Sequence, residues 1–332
     1  MLLALIVLFL SWILTGMYRS YAIRKSILDL PNERSSHTVS TPRGGGVAVV
    51  IAWFTGLIVL FLTNKIENRL FFALLSGAPL AFIGFIDDIY NLHPRIRLLV
   101  QMTSAFLGLL FLGGFDSLSI GLHGIGYYIL FNVLAFIAIL WSVNLFNFLD
   151  GIDGYISSEI IFIGISVWLL TGDSVALLMA AATLGFLFWN WEKAKIFMGD
   201  VGSTLLGYNV AIFAIFHQNN ELSSIPVWLI LTSVFWMDAT VTLYRRIRNK
   251  EKLSVAHRKH AYQRIVQAGF SHQKTVIMAF ILNLAGLALA ALSVNYPAWQ
   301  IVFLLVDLIM LFIVLKFIDK LKPFEKNTTI VN

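Results

Sequence analysis

Long apolar runs alternate with short polar segments along the whole 332-residue chain. Runs such as Met1 to Met17, Gly44 to Leu62, Tyr127 to Val143 and Trp299 to Leu315 approach or reach the ~20 apolar residues a helix needs to cross a bilayer. The pattern predicts an all-α polytopic membrane protein. Its eleven spans fall at 1–18, 44–63, 70–86, 97–114, 127–143, 155–171, 174–190, 204–217, 225–243, 276–293 and 299–316, within a single membrane-embedded domain over 1–332. Met1 to Gly16 has neither a basic stretch before it nor a small-residue cleavage site after it, so it reads as the first span rather than as a signal peptide.

The polar segments are not alike. Lys and Arg number five from Arg19 to Arg43, two from Asp87 to Arg97, two from Trp191 to Ser203, nine from Tyr244 to Thr275 and four from Lys316 onward, while the opposite connections hold only Lys65 and Arg69. The positive-inside bias therefore places the N-terminus outside and the C-terminus in the cytosol, with cytosolic loops at about 19–43, 87–97, 144–154, 191–203 and 244–275. Part of the longest loop is expected to be helical and to lie along the membrane surface.

Composition sharpens this reading. The chain is 58% hydrophobic and 13% charged, against about 25% charged in soluble domains. A net charge of +6 is explained by the loop bias, so nucleic acid is not an expected partner. Without cysteine, thiolate metal sites and cysteine nucleophiles are excluded, which leaves oxygen and imidazole ligands and points to hard cations.

Five loop segments carry candidate chemistry, and Asp87, Asp88, Asp150, Asp153 and Asp200 all fall at the expected cytosolic helix ends. The apolar run through Phe85-Ile86 ends in Asp87-Asp88. Neighbours on a helix point about 100° apart, so a division of labour is expected, with one acid facing a reacting phosphate. A solvated helix end is the plainer alternative. Asn144 to Gly154 offers Asn147, Asp150 and Asp153, with a glycine after each aspartate that would let backbone approach a ligand. Such carboxylates and carboxamides suit Mg²⁺, with Mn²⁺ as its substitute. Turn capping accounts for one acid more comfortably than for both. In Asn190 to Ser203, Asp200 sits between glycines at the start of a span, where it could cap a helix whose N-terminus favours phosphate. In Ala256 to Arg264, His257 and His260 would share a helix face among basic residues that favour an anion such as pyrophosphate. The plainer reading is a basic interfacial helix at lipid headgroups. Pro31 to His37 leads into Thr41-Pro42-Arg43 and the triplet Gly44-Gly45-Gly46, either a phosphate cradle or a close-packing site.

In this order, from Asp29 to Thr275, the motifs resemble the bacterial polyprenyl-phosphate N-acetylhexosamine-1-phosphate transferases of the MraY and WecA type. The resemblance implies transfer of a sugar phosphate from a UDP-N-acetylhexosamine to undecaprenyl phosphate in the inner membrane, in a chain free to act as a homodimer. By it, Asp87 and Asp88 lie at the reacting phosphate, Asp200 is the metal ligand, and Asn147, Asp150 and Asp153 line the same pocket. Asn190, Phe197 and Arg43 contact the nucleotide, Phe197 by stacking on uracil, and His257 and His260 bind the diphosphate. Lys193 departs from a frequent proline. The loop His257-Arg258-Lys259-His260 looks like the O-antigen-initiating branch rather than the muramyl-pentapeptide branch.

Two other classes compete. A secondary transporter would place ionisable groups near the midplane, and Glu159, Asp238 and Asp307 lie in or near spans. A membrane phosphatase or pyrophosphatase would share the cation and carboxylates but transfer phosphorus to water.

Overall fold

The computed structural model describes residues 1–30, 39–90, 92–116, 124–253, 255 and 257–325. The polar motif Pro31 to His37 lies outside the described residues. In chain order the elements are α1 (Leu2–Arg24), β1 (Leu28–Asp29), β2 (Thr41–Pro42), α2 (Gly46–Leu62), α3 (Asn68–Leu75), α4 (Ala78–Tyr90), α5 (Pro94–Leu112), α6 (Ile125–Phe148), α7 (Tyr155–Thr171), α8 (Ser174–Asn190), α9 (Asp200–Asn219), α10 (Ile225–Leu231), α11 (Ser233–Arg248), α12 (Ala261–Gln267), α13 (His272–Asn295) and α14 (Gln300–Leu321). Among the described residues, a short antiparallel pairing of β1 with β2 departs from the all-helical expectation.

Each expected span coincides with a helix or a broken helix pair. Two expected spans are interrupted: 70–86 becomes α3 and α4, and 225–243 becomes α10 and α11, which meet at 80°. Among the described residues, length and composition mark six crossings, or seven with the bent pair. That is fewer than the eleven expected, because α2, α7 and α8 have only 17 residues each. The central helix α9 also carries Asp200, Ser203, Thr204, Asn209, His217 and Gln218.

Helix α9 organises the bundle. Nearly all of it is buried, among α2, α4, α5 and α6. Backbones approach closely because small residues face each other: a Cβ on Gly46 would collide with the backbone of Gly202, and one on Gly84 with that of Asp200 and Val201. In lipid this contact replaces the hydrophobic drive that water would supply. The outward faces of the peripheral helices expose Phe9, Ile13, Phe106, Ile309 and Ile313, as lipid contact requires.

The helices run further into the polar segments than hydropathy shows. Helix α4 includes Asp87 and Asp88, α6 includes Asn144 and Asn147, and α11 continues to Arg248, well past Asp238. Capping and ion pairs add to apolar burial at these terminal turns. At α5, Pro94 occupies the first turn and the His93 ring accepts from Arg95 N at 3.3 Å.

Of the intramembrane acids, Glu159 of α7 accepts from Asn283 of α13 at 2.6 Å, and Asp307 of α14 is fully buried beside Gly286 and Ser233. Both lie away from the loop motifs, whereas Asp238 joins them.

Candidate active site

The site is built on the N-terminus of α9. Its cap residue, Gly199, has φ +76°, a conformation that favours glycine, and a side chain there would strike the Asp88 carboxylate. Asp88 fills that space: the Asp200 and Val201 N–H groups donate to it at 3.0 and 3.3 Å. The expected helix-end phosphate site is therefore occupied by a carboxylate from α4, satisfying the same orphan donors and dipole. Asp200 is not the cap. Its carboxylate turns outward to accept Arg43 Nη2 at 2.8 Å and Arg97 Nη1 at 3.1 Å.

Asp87 and Asp88 divide their work. Asp88, with its side chain 1% exposed, receives Arg43 Nε at 2.8 Å in addition to the two backbone donors. Asp87 faces the other way, accepting Leu92 N at 2.6 Å and Arg97 Nη1 at 2.8 Å. Two guanidiniums thus bridge three acids on α4 and α9. Asp150 stands nearby, hydrogen-bonded from the Gly199 backbone. Burial pushes its carboxyl up to about 7, with Asp200 and Asp88 adding to the rise and Arg43 opposing it. Around Arg43 the balance is reversed. Burial disfavours its charge, but Asp88, Asp200, Asp29 and Asp150 outweigh that and hold it more firmly protonated than usual.

Other expected residues join the loops to one another. Asn190 accepts from Gly154 N at 3.0 Å and Ser157 Oγ at 3.3 Å, and donates to Ile196 O at 3.0 Å. Asp153 accepts from Ala194 N at 3.1 Å and lies 3.3 Å from His272 Nδ1. Asn147 donates to Ser203 Oγ at 3.2 Å. Phe197 is half-buried, and its backbone N–H donates to Pro42 O at 2.8 Å. The glycine triplet is a packing site rather than a cradle, since Gly45 N and Gly46 N donate to Phe197 O and Met198 O. The room beside Gly151 is taken by the Tyr262 hydroxyl rather than left for a ligand.

His257 and His260 are not on one helix face, as their spacing suggested. His257 lies in the loop and His260 caps α12, yet their ring centroids are 5.0 Å apart. Asp238 brings His260 in, accepting Ala261 N at 2.7 Å and Tyr262 N at 3.3 Å, with the His260 ring at 3.4 Å. Burial, then His260 and Arg246, push His257 down to about 3, so it is neutral at pH 7. Its Nδ1 accepts Lys259 N at 3.3 Å, which leaves Nε2 as the N–H donor.

Both imidazoles line a cavity of about 670 Å³. Arg97, Asn144, Arg246 and Gln263 supply its other polar wall, and Ile137, Leu140, Trp141 and Leu243 its apolar wall. Arg97 belongs both to this cavity and to the acid cluster. A second, mostly apolar cavity of about 470 Å³ between α6, α9 and α10–α11 shares Trp141 with it.

Sequence reasoning missed Arg97 and Arg246 as site residues. Arg246 is 3% exposed and donates to the carbonyls of Lys252 and Val255 at 2.6 and 2.9 Å and to Glu251 at 3.3 Å, folding the basic loop around itself. A signal existed for Arg97: it closes His93-Pro94-Arg95-Ile96-Arg97, directly after the paired acids.

Among the described residues no three acids or imidazoles converge as ligands of one ion. Mg²⁺ asks for less, one or two carboxylates together with substrate phosphate. Asp200, close enough to Asp150 to raise the Asp150 carboxyl, supplies hard oxygen donors of that kind.

An apolar helical bundle in which Arg97 joins a cluster of acids to a cavity lined by guanidiniums and imidazoles defines a multi-pass membrane enzyme. The family described as Glycosyl transferase family 4 matches residues 70–218, a stretch that contains Asp87, Asp88, Asp150, Asp153 and Asp200. The chain is 29% identical over 340 residues to a probable undecaprenyl-phosphate N-acetylglucosaminyl 1-phosphate transferase of Bacillus subtilis, covering 95% of this chain and 92% of that one. It is 30% identical over 301 residues to the undecaprenyl-phosphate alpha-N-acetylglucosaminyl 1-phosphate transferase of Yersinia pestis, covering 83% and 78%. It is 26% identical over 314 residues to the decaprenyl-phosphate N-acetylglucosaminephosphotransferase of Mycobacterium tuberculosis, covering 82% and 77%. The chain belongs to this family, the polyprenyl-phosphate N-acetylhexosamine-1-phosphate transferases of the MraY and WecA type, and is a glycosyl-1-phosphate transferase.

Proposed function

We propose that the protein transfers N-acetylglucosamine 1-phosphate from its UDP derivative to undecaprenyl phosphate, releasing UMP and starting a lipid-linked surface glycan such as O-antigen. The observation that carries this reading is the cavity shared by Arg97, His257, His260 and Arg246, polar on one wall and apolar on the other. A diphosphate needs the first wall and a polyprenyl chain the second. The mostly apolar cavity beyond Trp141 is where the chain would continue. The site faces the cytosol of a bacterial cytoplasmic membrane, with the N-terminus outside, because the site loops are the basic ones.

In the reaction an oxygen of the lipid phosphate attacks the sugar-bearing phosphorus. The anhydride bond to UMP breaks and a new anhydride to the lipid forms, so one phosphoanhydride replaces another. Catalysis then rests on positioning and charge neutralisation. Asp200, with Asp150 beside it, would hold Mg²⁺, which would supply neutralisation of charge on the diphosphate. Asp87, less tied to backbone than Asp88, accepts the proton of the attacking phosphate as general base. Asp88 fixes the α9 end that aims Asp200. His257 donates through Nε2–H to the diphosphate. Asn190, Phe197 and Arg43 form the nucleotide side, and Asn147 and Asp153 brace it.

The test is purified protein with undecaprenyl phosphate, Mg²⁺ and a panel of UDP-N-acetylhexosamines, reading UMP and lipid product. UMP only when both substrates are present supports the transferase. Phosphate release without the lipid would instead mean a phosphatase, and neither product, with no donor binding, would reopen transport.

A further inference from the structure

Helix α14 and the residues just after it form a segment that the reaction as drawn does not use, yet Asp319 and Phe324 on it are turned toward the cations of α11, α12 and the histidine loop. Asp319 accepts both terminal nitrogens of Arg245 at 2.8 Å each, and Arg264 Nη1 at 2.7 Å. Arg264, 3% exposed, also donates to Lys322 O at 2.9 Å. The ring of Phe324 lies 5.3 Å from the Arg245 guanidinium, 5.6 Å from that of Arg264 and 5.4 Å from Lys259 Nζ. Lys259 in turn donates to Glu251 at 2.6 Å and to Glu325 O at 2.8 Å.

The gripped residues sit in telling places. Lys259 lies between His257 and His260, and its backbone N–H sets the His257 tautomer. Arg264 lies one turn after His260 in α12. Arg245 precedes Arg246, the residue around which Glu251, Lys252, Leu253 and Val255 are gathered. Three cations that would repel one another are gathered by one aromatic ring, and two of them also by one carboxylate.

We propose that Asp319 and Phe324 form a C-terminal latch that positions the imidazole and guanidinium wall of the cavity, making both of them positioning residues for donor binding. The proposal rests on the transferase reading for its kinetic consequence and on geometry alone for its structural one. Loss of the latch frees Lys259 and α12, and the His257 and His260 rings then lose their fixed approach to the diphosphate.

The test uses full-length protein carrying Phe324→Ala, Asp319→Asn or Phe324→Trp, with two readouts. Hydrogen exchange should quicken over residues 257–267 in the first two variants, stay unchanged in α9, and return toward wild type in Phe324→Trp. In the transfer assay, donor KM should rise about five-fold in Phe324→Ala while kcat stays within about two-fold, the scale of losing one shared cation–π contact. Unchanged exchange and KM in both Phe324→Ala and Asp319→Asn would overturn the latch. So would exchange that quickens equally throughout the bundle, which marks a merely structural role. A wild-type protein without turnover would sink the transferase reading, while the exchange measurement would still decide the latch.

Discussion

Two helix N-termini in this protein are capped by carboxylates from other helices, and their surroundings are opposite. Asp88 of α4 caps α9, and Asp238 of α11 caps α12. At α9 the acids Asp87, Asp88, Asp150 and Asp200 share two guanidiniums, Arg43 and Arg97. At α12 the cap stands among Arg245, Arg246, Lys259 and Arg264 with His257 and His260. The same capping device thus stands in an acid-rich cluster at α9 and in a base-rich one at α12, and Arg97 joins the first to the cavity beside the second. A phosphoryl transfer between two anions needs both. One alone would bind a metal or a phosphate without bringing the reactants together.

The comparison breaks most sharply at Asp200. Asp200→Ala removes the outward carboxylate but not the cap, so transfer should fall at least ~10²-fold, the scale of one removed electrostatic stabiliser, while the fold persists. Product formation and a thermal melt run together check both halves.

Next comes the capping pair. Asp88→Ala uncaps the central helix and leaves Arg43 underpaired, whereas Asp238→Ala uncaps only the short α12. Each should lose about 1 kcal/mol from its cap, with the Asp88 variant losing more because Arg43 also loses one of its two carboxylate partners. Melts in one detergent should show the larger drop for Asp88→Ala. An equal drop would mean that α9 does not depend on Asp88.

A pH effect follows at Asp150. Its carboxyl, ordinarily at 3.8 and raised here to about 7, favours the protonated form in the folded protein. Its stabilising contribution is complete below about 4 and is lost as pH rises through about 7. Without divalent cation, wild type should therefore lose stability relative to Asp150→Asn across that window. Parallel melting curves for the two proteins would contradict the burial assigned to Asp150.

The smallest effect belongs to His257. Held down to about 3, its contribution is present above its ordinary 6.5 and is lost as pH falls toward 3. His257→Gln keeps an N–H donor, so transfer at pH 7 should drop only about ten-fold or less, on the scale of one hydrogen bond to a charged group. The variant's rate should keep the wild-type pH dependence between 6 and 8, because a neutral imidazole does not titrate there.

Much of this site was legible from the chain. Paired acids ending an apolar run and aspartates flanked by glycine mark themselves, since membrane helices otherwise exclude charge. The partners were not legible. Asp88 caps a helix 112 residues further on, and Arg97 reaches Asp200 across 103. No local period encodes such a contact. The same holds for the two broken helices and for polar helix turns such as Asn144 to Phe148, which hydropathy assigns to loops although backbone hydrogen bonding continues through them. The histidines were expected on one helical face by spacing, and tertiary structure brought them together without a helix.

The claim that acidic and basic regions act on one diphosphate is tested most directly by the Mg²⁺ dependence of transfer in wild type, Asp200→Asn and His257→Gln. The account predicts that Asp200→Asn shifts the half-maximal Mg²⁺ concentration upward by about ten-fold or more, the loss of one ligand carboxylate. His257→Gln should leave that concentration unchanged and raise donor KM instead. A Mg²⁺ requirement that moves with His257 and not with Asp200 would contradict it.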